Sequence, residues 1–174
     1  MHFDISTILM LLCAAALALC VLYAAYTDLR AMRITNATCL AALIAYVPLA
    51  GTFMLTGQWQ LFLQSIGLGV LVFAITAFLN ARGVFGGGDV KLLTVLAIWA
   101  GPQFAAQTFF IVAVCGGLIS IFGLMRSFFL RRRKTSVSGR DTLPIQQHPI
   151  PYGPAITVGG LYLSSQLIVN ALVQ

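Results

Sequence analysis

The sequence predicts an all-α, polytopic membrane protein with six transmembrane helices, the fourth of them short, and both termini on the non-cytoplasmic side. Three observations carry this. Of 174 residues, 60% are hydrophobic and only 8% are charged, whereas a soluble domain carries roughly a quarter charged residues. Too few polar side chains remain to cover a water-facing surface. The apolar runs reach the length that spans a bilayer, about 20 residues. Finally, the cationic residues cluster in polar stretches that one topology places on a single side of the membrane.

Residues 5–27 read as the first span. Residues 1–6 carry no Lys or Arg, which a secretory signal needs at its start, so this run is read as a membrane helix. A polar segment, 28–36, precedes the second span at 37–55, where Pro48 is a site for a kink. After a turn at 56–60 comes the third span, 61–81. Residues 82–91 are polar and contain Gly86-Gly87-Gly88-Asp89. The charge-free stretch 92–125 would run about 51 Å as one helix, too long for a hydrocarbon core of about 30 Å. Gly101-Pro102-Gln103 divides it into a short fourth helix at 90–100 and a full span at 104–125. A basic loop, 126–153, leads to the sixth span at 154–173. The whole chain, 1–174, is read as one membrane-embedded domain.

The charges test this parity. With six crossings, all ten Lys and Arg residues share one side: Arg30 and Arg33, Arg82 and Lys91, and the group from Arg126 to Arg140. Fusing the fourth and fifth helices would send that last group to the opposite side. The cationic side is the cytoplasmic one. The net charge of +6 is therefore an orientation signal, with lipid headgroups as a secondary contact for Arg131 to Lys134. Nucleic acid is not an expected partner. If the short helix ends at the outer interface near Gly101, its near end and Asp89 are recessed below the cytoplasmic surface. Trp59 and Trp99 then read as outer interfacial belt residues.

Chemistry must come from few groups. There is no glutamate, and the aspartates are Asp4, Asp28, Asp89 and Asp141. The cysteines (Cys13, Cys20, Cys39, Cys115) sit in apolar runs without a C-x-x-C pair, so neither a zinc ribbon nor a redox dithiol is indicated. Asp28 closes the first helix and Asp89 opens the fourth, both toward the cytoplasm. Two carboxylates sharing one site cannot both ionise easily, so one takes a proton from water while the other donates to a carbonyl. Each also has a plainer use. Asp28 suits an interfacial charge balanced by Arg30 or Arg33, and Asp89 suits a helix start. Glycines allow positive φ and close approach of another chain, so Gly86, Gly87 and Gly88 could support an extended peptide or simply form a flexible loop. Lys91 suits a helix-end anchor or a tuner of Asp89. Asn36 could orient Asp28 or cap the second helix, and Tyr152 could face substrate or join an aromatic belt.

Three segments carry a resemblance. Gly86-Gly87-Gly88-Asp89 with Lys91 resembles the GxGD motif of membrane aspartic peptidases. Asp28 followed by Ile34-Thr35-Asn36 resembles the D-x5-I-[PT]-N motif of type IV prepilin peptidases. Pro151-Tyr152-Gly153-Pro154-Ala155-Ile156 resembles the P-[YF]-G-P-A segment that opens that family's last helix. The segments occur in family order and cover the chain from end to end.

The resemblance implies an endopeptidase of the bacterial inner membrane that removes the leader from type IV prepilin-like subunits on the cytoplasmic side. It would cut after a glycine and before the hydrophobic pilin helix. Asp28 and Asp89 would be its catalytic carboxylates, with Gly86, Gly87 and Gly88 at the substrate. No metal or organic cofactor is expected. Its partners would be the prepilin leader, the pilin N-terminal helix and the bilayer. Long bifunctional members carry a cytoplasmic region with paired C-x-x-C motifs between the first two spans. Only residues 28–36 stand there in this chain, so N-methyltransferase activity is not expected. The short form resembles the peptidases of tight-adherence (Flp-type) pilus systems, and archaeal preflagellin peptidases share the motifs. Two rival classes remain open: a small transporter or channel moving protons or cations through the same aspartates, and a structural subunit of a secretion assembly.

Overall fold

The computed structural model describes residues 5–134 and 152–173, and of 126–134 the backbone alone. Its elements are all helices: α1 (Ile5–Ala31), α2 (Asn36–Leu55), α3 (Trp59–Ala81), α4 (Gly87–Lys134) and α5 (Gly153–Val173). Each contains a stretch long and apolar enough to cross a membrane, in α4 over Gly87–Met125.

Helix ends differ from those read in the sequence because backbone partners set them, rather than the change to polar residues. α1 continues through Asp28 and Arg30 to Ala31. It stops where Met32 turns left-handed, at φ 49°, with its N–H donating to the Asp28 carbonyl at 2.8 Å. Thr35 then starts α2 as an extended N-cap whose Oγ1 accepts from the Thr38 N–H at 3.3 Å, satisfying one orphan donor of the first turn. α4 stays helical to Lys134, where a loop from residue 126 was expected; Arg and Lys are good helix formers. The remainder of that expected loop, 135–151, lies outside the described residues.

α4 is two helical arms joined at Gly101, whose φ of 54° and ψ of −172° are not helical. Pro102 makes this the weak point, because proline supplies no N–H and drives the residue before it out of the α region. The contacts show that the arms run in opposite directions. Gly88 lies against Ile34, Lys91 bonds to Asn36 and Trp99 to Ala42, so the first arm runs parallel to α2. Beyond the break, Gly159 of α5 meets Thr108 and Val112, while Gly116 meets Tyr152 and Ala155. The second arm is therefore antiparallel to α5. α5 is antiparallel to α1, since Gly153 meets Asp28 and Gly160 meets Val21. α3 is antiparallel to the first arm, with Gly69 on Ile98 and Ser65 beside Gly101.

Two consequences follow for the site. Ile5 and Val173 share one end of the bundle. Asp28, Arg33, Arg82, Asp89 and Gly153 share the other. The first arm, residues 87–100, is about 21 Å long at 1.5 Å per residue. Its near end is level with the start of α2. Its far end stops beside Ser65 and Ala42, well short of Leu55 at the end of α2. The shortfall thus lies at the far end, not at the aspartates as the sequence suggested.

The same geometry corrects Trp99. It is 3% exposed, its Nε1 donates to the Ala42 carbonyl at 2.9 Å, and its ring meets Tyr46 edge-on at 5.4 Å. It is a core residue that fastens the short arm to α2. Trp59, at the start of α3, is exposed, as a belt residue would be. Leu17, Leu92, Leu96, Ile156 and Leu163 fill the interior. Leu19, Phe110 and Phe122 face outward, as lipid solvation requires. Cys13 and Cys39 are buried, Cys20 and Cys115 half-buried, and all four are free, in keeping with small apolar packing roles.

Candidate active site

Two carboxylates are buried at the end of the bundle away from Ile5 and Val173: Asp28 is 6% exposed and Asp89 8%. Burying such groups is costly unless they are hydrogen-bonded, and each has a backbone donor at the start of a helix. The Gly153 N–H, at the first residue of α5, donates to Asp28 Oδ2 at 2.8 Å. The Gly86 N–H, just before α4, donates to Asp89 Oδ2 at 3.2 Å. The positive end of a helix macrodipole therefore stands beside each carboxylate. Arg30 lies over the Tyr26 ring, 4.8 Å from its centroid.

The α5 contact depends on small residues at helical spacing. Gly153, Thr157 and Gly160 share one face of α5. Thr157 Oγ1 stands 2.8 Å from the Val21 carbonyl and 2.9 Å from that of Gly153, tying this face to α1. A Cβ on Gly160 would come within 2.8 Å of Val21. A Cβ on Gly153 would stand 2.6 Å from Asp28 Oδ2, so any other residue displaces the carboxylate.

The glycine run does comparable work at Asp89. A Cβ on Gly88 would stand 2.8 Å from Ile34 Cβ and 3.1 Å from its carbonyl oxygen, which lets α4 begin against the α1–α2 connection. Lys91 Nζ donates to Asn36 Oδ1 at 2.7 Å and fastens the same junction. Lys91 is thus an anchor, and Asn36 is its partner; the cap of α2 is Thr35. Positive φ plays no part at the run, since the described glycines that adopt it are Gly57, Gly83 and Gly101. The chain that Gly88 approaches is the protein's own, and Gly87 meets open space.

A cavity of about 220 Å³ joins these parts. Asp28, Asp89, Gly86, Gly87 and Gly88 all line it, with Met32, Arg33 and Ile34. The two aspartates and three glycines singled out from the sequence are therefore brought to one place. Tyr152 lies beside it: its ring packs edge-on against Phe85 at 5.6 Å and its hydroxyl is 3.0 Å from Ser120 Oγ. These contacts are internal, unlike those of a belt residue. Pro151 of the same motif lies outside the described residues, as do Asp4 and Asp141.

Sequence reasoning missed the part played by Gly153. Its signal was present in the Pro151-to-Ala155 segment, but a backbone donor leaves no mark in residue chemistry. Two buried carboxylates on one cavity, each with an oxygen fixed by a backbone N–H, can hold a water and exchange protons with a bound carbonyl.

The family model described as "Type IV leader peptidase family" matches residues 15–121. A Bacillus subtilis (strain 168) protein described as "Prepilin leader peptidase/N-methyltransferase" is 27% identical over 151 residues, which are 84% of this chain and 53% of that protein. The chain thus spans about half the length of that relative. No solved structure matches it. The matched segment contains both aspartates and the glycine run, and the chain belongs to the type IV leader peptidase family.

Proposed function

We propose that the chain is an aspartic endopeptidase that removes the leader of type IV prepilin-like subunits, of Flp type, with Asp28 and Asp89 as its catalytic pair. The observation that carries this is the shared cavity. The two buried carboxylates line it together, each oriented by a backbone N–H from a different helix start. One carboxylate, ionised, takes a proton from the attacking water. The other, protonated, donates to the scissile carbonyl oxygen. The roles exchange as the tetrahedral intermediate collapses and the amine leaves. Gly87, open to the cavity, gives an extended peptide room to lie beside the pair.

In this reading the chain crosses the inner membrane six times, with the short arm of α4 as the fourth crossing helix and both termini outside the cytoplasm. The site opens toward the cytoplasm, because Arg30, Arg33, Arg82 and Lys91 share its end of the bundle. The activity is cleavage alone, without methyl transfer: only residues 32–35 separate α1 from α2.

Co-expression with a candidate prepilin tests this reading. The wild type converts the precursor to a faster-migrating product on a gel, and Asp28→Ala and Asp89→Ala do not. Full processing by either variant contradicts the assignment.

A further inference from the structure

A second cavity, of about 450 Å³, lies beside the first. It falls between α3 and α5, which do not approach each other closely among the described residues, and the second arm of α4 floors it. Val72 and Ile75 of α3 form one wall, Ala113, Gly116 and Gly117 the floor, and Tyr152 and Ala155 the other wall. Ala113, Gly117 and Ile75 are exposed, so this groove opens on the outer, apolar face of the bundle. Gly117 has open space above it.

The groove is continuous in the chain with the aspartate cavity. Phe85 lines the groove, and the next residue, Gly86, holds Asp89. Tyr152 lines the groove, and the next residue, Gly153, holds Asp28. The edge-on Phe85–Tyr152 pair stands where the two cavities meet.

We propose that this groove seats the first turns of an apolar membrane helix in the substrate, just beyond the scissile bond, and that the helix enters from the lipid side. The proposal rests on the peptidase reading above. Its volume is within the range of about 300–1,000 Å³ that buries a ligand's apolar groups. Small residues on its floor permit close helix approach, the main source of helix association in lipid. A helix laid here presents an i, i+3, i+4 stripe to the groove, and the chain preceding it passes Phe85 and Tyr152 to reach the carboxylates.

The test compares two synthetic peptides cut at the same bond in lipid vesicles. One carries an apolar helix of about 20 residues after the bond. The other ends four residues after it. Ala113→Trp and Gly117→Trp fill the groove from positions with room for a side chain. Val114→Trp, on the exposed face outside the groove, is the control. Each groove variant lowers the ratio of kcat/KM on the long peptide to that on the short one by at least about tenfold, while the control keeps the wild-type ratio. An unchanged ratio in both groove variants, as for a groove that holds only lipid acyl chains, overturns the proposal. If the wild type cuts neither peptide, the peptidase reading itself fails and the groove assignment falls with it.

Discussion

At Asp28 the geometry is set by a residue with no side chain. Gly153 supplies the N–H that orients the carboxylate, and its missing Cβ leaves the space the carboxylate occupies. Under the proposed mechanism, Gly153→Ala therefore impairs cleavage more than folding. If Asp28 reacts as proposed, the added methyl displaces its carboxylate by up to about an ångström and costs about a hundredfold in rate. Cleavage kinetics on the purified variant check this, with retention of the wild-type elution volume showing that the fold is intact. That the two aspartates meet at one cavity was legible in the sequence, because carboxylate chemistry draws attention to that residue type. Their donors were not, because any residue but proline offers an N–H and only three-dimensional packing says which one arrives. Trp99 was misread for a related reason. Its apolar body and polar N–H suit an interface, but they suit equally a buried site with a carbonyl in reach, and Ala42 provides one.

Among the elements, the short arm of α4 is decisive, because it carries Asp89 at its start and packs on both α2 and α3. Its break was legible: Gly101-Pro102 is a strong local instruction, and the length of the charge-free run demanded a division. Helix ends were less legible. α1 passes through two charged residues before Met32 stops it, and α4 passes through a basic cluster to Lys134. A charge ends a membrane span without ending a helix. The end of the arm away from Asp89 is fastened by Trp99, against Tyr46 and the Ala42 carbonyl. Trp99→Ala empties a buried site and destabilises the bundle by about 3–5 kcal/mol. Denaturant unfolding in detergent, followed by helical signal, measures that loss, and cleavage falls with it as Asp89 loses its fixed position.

For the whole molecule, the alternation of helix direction ties chemistry to topology. The arms of α4 reverse at Gly101, and without that reversal α5 would not return its first residue to Asp28. The charge distribution predicts the same reversal at Gly101 from the sequence, since fusing the two arms would send Arg126 and the cations after it to the side opposite Arg30 and Arg82. Alkaline phosphatase fusions check the orientation. A fusion after Val173 is active, reporting a site outside the cytoplasm, and one after Gly83 is inactive. The reverse pattern would place the carboxylates on the outer side.

A pH profile is the decisive test of the proposed Asp28–Asp89 pair. The proposed mechanism needs one carboxylate ionised and the other protonated. Cleavage of a prepilin-like peptide by the wild type then follows a bell-shaped profile. Asp28→Asn and Asp89→Asn keep the shape of the side chain but remove the shared proton, so each lowers the rate by about a thousandfold across the whole profile. A variant that retains most of its activity, with the profile merely shifted, would contradict a catalytic dyad at Asp28 and Asp89.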